Sequence, residues 1–145
     1  IIVNSTIEKF EYKRTLIREY DYWVVLLRPT QVTLSSLVIV CKEDAESISS
    51  ISSLANSEFQ IVVKDVEQVL KYIFNYDKIN YLALMMLDKH VHFHVLPRYS
   101  ESILFNGIKY SDKYWPLAPQ LSEKLNISES DFQDLKDIIT SNLKY

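Results

Sequence analysis

The sequence predicts an α+β fold: an antiparallel sheet with one long helix packed on it and a second helix closing the chain. Three observations predict it. Compact apolar runs at residues 22–27, 37–41 and 81–87 are rich in β-branched and aromatic residues and too short for helices. Phe59, Val62, Val66, Val69, Leu70 and Ile73 recur at the helical period, as do Phe132, Leu135, Ile138 and Ile139. The third run is followed by the short turn Leu87-Asp88-Lys89 and another strand, and strands joined so tightly are antiparallel neighbours.

Taken in order, residues 1–20 mix charged residues and tyrosine with Ile7, Phe10, Leu16 and Ile17, which suits a short helix or an edge segment. Tyr22–Leu27 and Leu37–Cys41 lack strict alternation, as expected of strands covered on both faces, with residues 28–36 as their connection. Lys42–Ser57 is serine-rich and reads as a surface loop, with one turn placing Ile48, Ile51 and Leu54 against the core. Ser57 and Gln60 form a capping-box signature, so the main helix is expected to begin there and end near Asn75. Tyr81–Leu87, apolar throughout, is expected as a third central strand.

Beyond Pro97, which is expected to end its strand, Asn106-Gly107 between 102–105 and 108–110 signals a type I′ hairpin. Residues 114–119 are an irregular segment, and Ser128–Leu143 reads as the closing helix, started by Ser128 with Asp131 three residues on.

The totals bound the function. A chain of 145 residues with 48% apolar and 24% charged residues is expected to fold as one domain, 1–145. The net charge is −3 and no Lys/Arg cluster stands out, which argues against a nucleic-acid partner. No run approaches the ~20 apolar residues that span a bilayer, and the first residues lack a signal-peptide pattern, so no membrane association is expected. Cys41, the single cysteine, reads as a buried small hydrophobe and fits a reducing, cytoplasmic setting. Gly107 is the single glycine, so a glycine-rich phosphate loop cannot be built; if phosphates are handled, side chains must do much of the work.

All three histidines lie in Asp88-Lys-His-Val-His-Phe-His-Val-Leu-Pro-Arg-Tyr99. In an extended strand His90, His92 and His94 leave by one face, and Val91, Phe93 and Val95 by the other. One face suits core and the other chemistry.

His-Val-His-Phe-His-Val-Leu-Pro-Arg, residues 90–98, resembles the signature of the histidine triad (HIT) family, and its Pro-Arg is similar to the branch that hydrolyses dinucleoside polyphosphates. The order of elements extends the resemblance over a motif-bearing core of about residues 20–99 and leaves residues 100–145 as a C-terminal extension. What the resemblance implies is a HIT-like fold and attack on a nucleotide α-phosphate by His92, forming a nucleotidyl-histidine that water hydrolyses. His94 matches the position that donates to the phosphate, and His90 the first position, which orients its neighbour through the backbone. Relatives that transfer nucleotidyl groups often carry Gln at the third position, so His94 leans the reading toward hydrolysis of a phosphoric anhydride or phosphoramidate. The resemblance also implies a small nucleotide as partner, a homodimer, and neither cofactor nor metal. Two positions depart from it. Leu87-Asp88-Lys89 stands where many members have a Gly-rich turn with Gln or Ser, and Ser36-Leu37 where many have Gly-His.

Other readings stay open. Two of the histidines with a carboxylate or Cys41 could bind a metal; three could not readily share one ion, because the outer Cα atoms of such a row lie roughly 13 Å apart. A noncatalytic nucleotide- or phosphate-binding module is the other functional reading, and three solvated histidines on an edge strand the bland one. Arg98 shares the histidines' parity and is a candidate phosphate ligand, although an arginine past a strand end is more often surface. Trp115 is a candidate for stacking on a nucleobase, although an aromatic beside prolines more often packs on the domain. Asp88 reads as a turn former rather than a general base.

Overall fold

The structure is a computed structural model that describes residues 3–143. The chain begins with two short helices, α1 (Ser5–Lys9) and α2 (Tyr12–Thr15), then β1 (Leu16–Glu19), β2 (Trp23–Leu27) and β3 (Leu37–Cys41). A single 3₁₀ turn (Ile48–Ser50) leads into α3 (Ser53–Phe74), followed by β4 (Lys78–Leu82), β5 (His92–Arg98), the hairpin β6 (Ile103–Phe105) and β7 (Ile108–Tyr110), and α4 (Glu129–Asn142). Among the described residues five strands form one antiparallel sheet in the order β1-β2-β3-β5-β4.

β2 and β3 are buried at every position because both sheet faces are covered. Trp23, Val25 and Leu27 with Leu37, Ile39 and Cys41 point into the larger core beneath α3, while Val24, Leu26, Val38 and Val40 meet Ile7 and Phe10 from the N-terminal helices. The second face is the one that carries His92 and His94, paired across β3 with Val40 and Val38. Residues 3–16 therefore do more than decorate an edge; they roof part of the histidine face.

The alternation across the histidine strand holds. Val91 and Val95 lie in the core under α3, and Phe93 joins an aromatic stack in which Phe59 sits 4.8 Å from both Trp23 and Phe93, centroid to centroid. The Trp23 indole also donates to the Ala55 carbonyl at 2.8 Å, tying β2 to the first turn of α3.

Four expectations about the elements are corrected. The main helix starts at Ser53, capped by Ser52, whose hydroxyl accepts from the Ala55 amide, and not at Ser57. Its first turn is hard to read from periodicity because Leu54 is exposed and Ala55 points inward. Ile48 is likewise exposed, leaving Ile51 as the loop residue packed on the core. The third strand is not central and does not reach Leu87: β4 is an edge strand whose pairing stops at Leu82↔His94, and residues 83–91 form a loop into β5. Finally β5 runs through Pro97, which pairs with Ile79. β3 has already ended at Leu37↔Val95, so the strand there has a neighbour on one side alone and can accommodate a missing N–H.

The helix ends at an Asn75 in the left-handed conformation, φ 49°, as its position after the last periodic residue suggests. The hairpin turn has positive φ at both Asn106 and Gly107, which a type I′ turn requires. The Asn106 amide donates to Asp131 and Asp134 at 2.9 Å, joining the hairpin to α4. Phe132, Leu135 and Ile139 of α4, itself capped by Ser128, are buried in the same core as the sheet. Among the described residues no helix is long and apolar enough to cross a membrane.

Because Phe93 locks β5 to α3 from beneath, Phe93→Ala is expected to cost about 3 kcal/mol of unfolding free energy, at the lower end for a phenylalanine because the ring is only partly buried. Urea unfolding followed by tryptophan fluorescence measures it; an unchanged midpoint would show that the stack does not hold the strand.

Candidate functional site

His90, His92 and His94 are 5%, 2% and 4% exposed, so they are not solvated on an edge; His92 and His94 belong to β5, which lies between β3 and β4, and His90 lies just before it. His92 and His94 line a cleft of about 380 Å³ together with Lys9, Phe10, Arg28 and Asp88. Their ring centroids lie 5.1 Å apart at an interplanar angle of 84°, and the Phe10 ring rests 5.9 Å and 5.8 Å from them.

The hydrogen bonds define the tautomers. His92 Nδ1 lies 2.7 Å from the His90 carbonyl oxygen. A carbonyl can only accept, so Nδ1 carries the proton and the neutral ring leaves its lone pair on Nε2. His94 Nδ1 lies 3.2 Å from Arg28 Nε, which can only donate, so the neutral His94 ring has its proton on Nε2. Neighbouring rings on one face thus carry opposite tautomers, one offering an electron pair at Nε2 and the other an N–H.

His90 stands behind them and does not line the cleft. Thr6 Oγ1 accepts from the His90 amide at 3.2 Å and lies 3.0 Å from His90 Nδ1, to which its hydroxyl donates. His90 Nε2 then carries hydrogen toward Asp44 Oδ1 at 3.2 Å. With Thr6 1% exposed, this arrangement fixes the His90 backbone, and through its carbonyl the orientation of His92.

Burial, first, and then the positive charge of Arg28 and proximity of His92 lower the His94 pKa to about 4, with Asp88 opposing. Arg28 is itself lowered by burial and supported by Asp88, and it donates from Nη1 to the Thr30 carbonyl at 2.7 Å. His94 is accordingly neutral through the physiological range, and acts there as a hydrogen-bond donor rather than a cation.

Arg98 and Trp115 are brought together, but at a second pocket lined by Lys78, Asn80 and Leu117 rather than beside His92 and His94. Arg98 is 3% exposed, with Nε and Nη2 on the Asp112 carboxylate at 2.6 and 3.1 Å, Nη1 on Asn80 and Nη2 also on the Leu117 carbonyl. It keeps the histidines' parity on β5 but is engaged by protein acceptors. Among the described residues no three His, Cys, Asp or Glu side chains converge in a way that would hold a metal ion. Burial raises the Cys41 thiol pKa to about 11.

Sequence reasoning passed over Thr6, Phe10 and Arg28. For Arg28 a signal existed: in β2 the parity of Val24 and Leu26, which face the histidine side, continues to residue 28. Thr6 and Phe10 gave none, since nothing local reports that the N-terminal helices fold over that face.

Comparison with solved structures identifies the architecture. A histidine triad protein of Sinorhizobium meliloti is similar to it with a TM-score of 0.75 at 19% identity, covering 97% of this chain and 96% of that one. One from Bradyrhizobium japonicum gives a TM-score of 0.74 at 19% identity, covering 98% and 97%. A diadenosine triphosphate hydrolase of Plasmodium falciparum gives 0.63 at 11% identity, covering 94% and 92%. No family model matches the sequence, and no curated protein matches it. The chain has the histidine triad fold, and the likeness runs past residue 100 to the closing helix.

Two outcomes are expected. In Arg28→Ala the His94 resonance in a proton NMR titration moves upward from about 4, because the repelling guanidinium is gone, yet stays below 6.5 because burial is the larger cause; an unmoved titration would break the assigned pair. The second concerns stability. The unfolded chain takes up a proton at His94 near 6.5 and the folded chain near 4, so stability is full above pH 6.5 and falls as pH drops through that window. The loss amounts to about 3 kcal/mol. His94→Gln, which keeps an acceptor for Arg28 and cannot titrate, should flatten that part of a urea-unfolding pH series.

Proposed function

We propose that the protein is a nucleotidyl hydrolase of the histidine triad type, acting at a nucleotide α-phosphate through His92. The observation that carries this reading is the hydrogen bond from His92 Nδ1 to the His90 carbonyl, which holds the ring with its Nε2 lone pair available. In-line attack by Nε2 on phosphorus forms a phosphorus–nitrogen bond as the bond to the leaving group breaks. His94 Nε2–H stabilises a non-bridging phosphoryl oxygen as charge develops there. Water then attacks the nucleotidyl-histidine, giving the nucleoside monophosphate and restoring the ring. His90 is a positioning residue in this scheme.

The substrate is a small nucleotide carrying a phosphoric anhydride or phosphoramidate, dinucleoside polyphosphates among the choices; the Plasmodium falciparum neighbour bears the name of a diadenosine triphosphate hydrolase. No step calls for a metal or cofactor. We further propose a cytoplasmic, single-domain homodimer, with β4, which among the described residues pairs with β5 alone, as the edge where a second copy meets it.

The test is a single-turnover incubation of chelator-treated protein with diadenosine triphosphate and with adenosine 5′-phosphoramidate, followed by intact-mass measurement. A nucleotidyl adduct is expected in wild type and none in His92→Ala, with turnover down by about 10⁴-fold or more, as befits a lost nucleophile. Binding with neither adduct nor product would make the cleft a noncatalytic module, and activity that returned only on adding metal would revive a metal site.

A further inference from the structure

The helix that roofs part of the histidine face, α1, is five residues long, far below the ~12–15 at which an isolated helix begins to hold in water. Tertiary contacts set it. Asn4 caps it, its Oδ1 accepting from the Ile7 amide at 2.9 Å while its Nδ2 donates to the Cys41 carbonyl at 2.9 Å, which ties the helix start to the end of β3. Ile7, 0% exposed, packs among Val24, Leu26, Val38 and Val40. The seat of α1 on the sheet is therefore fixed by contacts that involve no histidine.

Thr6 and Phe10 stand four apart, one helical turn, and share a face. The Phe10 amide closes that turn on the Thr6 carbonyl at 3.3 Å. This one face meets all three histidines. Thr6 uses both functions of its hydroxyl on His90, accepting from the amide and donating to Nδ1. The peptide after His90 is held from its other side, where the Val91 amide donates to the Ala45 carbonyl at 2.9 Å, and its own carbonyl is the acceptor for His92 Nδ1. Phe10 packs on the other two rings, tilted 48° to His92 and nearly perpendicular, 76°, to His94.

A neutral imidazole carries its proton on either nitrogen, and the hydrogen bond made at one of them decides which. If His90 shifts, its carbonyl leaves His92 Nδ1, the proton is free to move to Nε2, and the lone pair facing phosphorus is lost. Thr6 is 1% exposed and does not line the cleft, so it reaches the chemistry only through His90. Phe10 acts on the ring planes and leaves the proton where it is.

Resting on the hydrolase reading above, we infer that α1 is the positioning element of the nucleophile. Thr6, through His90, sets which nitrogen of His92 carries the proton, and Phe10 sets the angle at which the His92 ring stands beside His94. Neither residue forms or breaks a bond.

The test uses the whole chain as wild type, Thr6→Val, Thr6→Ser and Phe10→Leu. Single-turnover rates with diadenosine triphosphate and with adenosine 5′-phosphoramidate are measured over a range of protein concentrations, beside long-range proton–nitrogen NMR spectra of the histidine rings at neutral pH. Thr6→Val keeps the volume of the side chain and loses the hydroxyl. Its saturating rate constant is expected to fall about 30-fold, within the ~100-fold that an ångström of misplacement costs. The protein concentration giving half that rate should stay within about twofold of wild type, and His92 should be shared between two tautomers. Loss of folded protein would do the reverse, raising the half-saturating concentration and leaving the saturating rate unchanged. Thr6→Ser should return the rate to within about threefold of wild type and the proton to Nδ1. Phe10→Leu should slow the step about tenfold with the proton still on Nδ1.

A wild-type saturating rate in Thr6→Val, a proton that stays on His92 Nδ1 there, or a serine variant no faster than the valine one overturns the inference and leaves the hydrolase reading standing. Phe10→Leu at the wild-type rate strikes Phe10 from the element. If wild type forms neither adduct nor product, the hydrolase reading falls and the spectra decide alone: a shifted His92 proton in Thr6→Val upholds the role of Thr6, and an unshifted one overturns it.

Discussion

The bond from His92 Nδ1 to the carbonyl two residues before it, at 2.7 Å, is the contact on which the rest of the site depends. It lies where the chain enters β5: His90 is outside the strand, and His92 is its first residue. A residue still outside the ladder can turn its carbonyl toward a side chain, whereas one inside a central strand spends it on a neighbour. The loop before β5 therefore has to end where it does, and Thr6 and the Val91 amide bond to Ala45 hold that end. A shift by one residue would send the histidines into the core and Phe93 to the cleft.

Around this bond the site is built from buried groups that satisfy one another. His94 is kept neutral by burial and Arg28, and Arg28 tolerates burial through the Thr30 carbonyl and the field of Asp88. Removing one member leaves a partner uncompensated, which at a buried position costs about 1–3 kcal/mol. The same reciprocity gives the two rings opposite tautomers, so a pair of identical residues two apart present different groups at Nε2 through their Nδ1 partners.

Much of this was legible in the chain. Spacing of two placed His92 and His94 on one face and Phe93 and Val95 on the other, because strand geometry allows nothing else; His90 precedes β5 and is held behind them by Thr6. β2 and β3, the Asn106-Gly107 turn and the Ser128 cap followed from local rules that tertiary structure did not override. Tyr81–Leu87 failed because apolarity reports removal from water or contact with an apolar surface, not strand pairing; the pairing ends at Leu82, and Leu84, Met86 and Leu87 border the cleft instead. The start of α3 failed because a helix turn with one inward residue, Ala55, has no visible period. Arg98 was aligned correctly by parity, yet parity gives a face and not a neighbourhood: along one strand face His94 and Arg98 open onto separate pockets.

The missing glycines have a structural counterpart. A glycine-rich turn brings backbone N–H groups to an anion, and it needs positive φ angles that glycine adopts at no steric cost. In this chain the loop before the triad contains a positive φ at a methionine, Met85, and presents side chains of leucine and methionine instead of a row of amides. Strain of ~1–3 kcal/mol attends a non-glycine residue held in a sparsely populated region. A segment with no task would relax from it, or bury its leucines in the adjacent core. Here it does neither: Leu84, Met86 and Leu87 stand open beside His92 and His94, outside the packed core that holds the fold together.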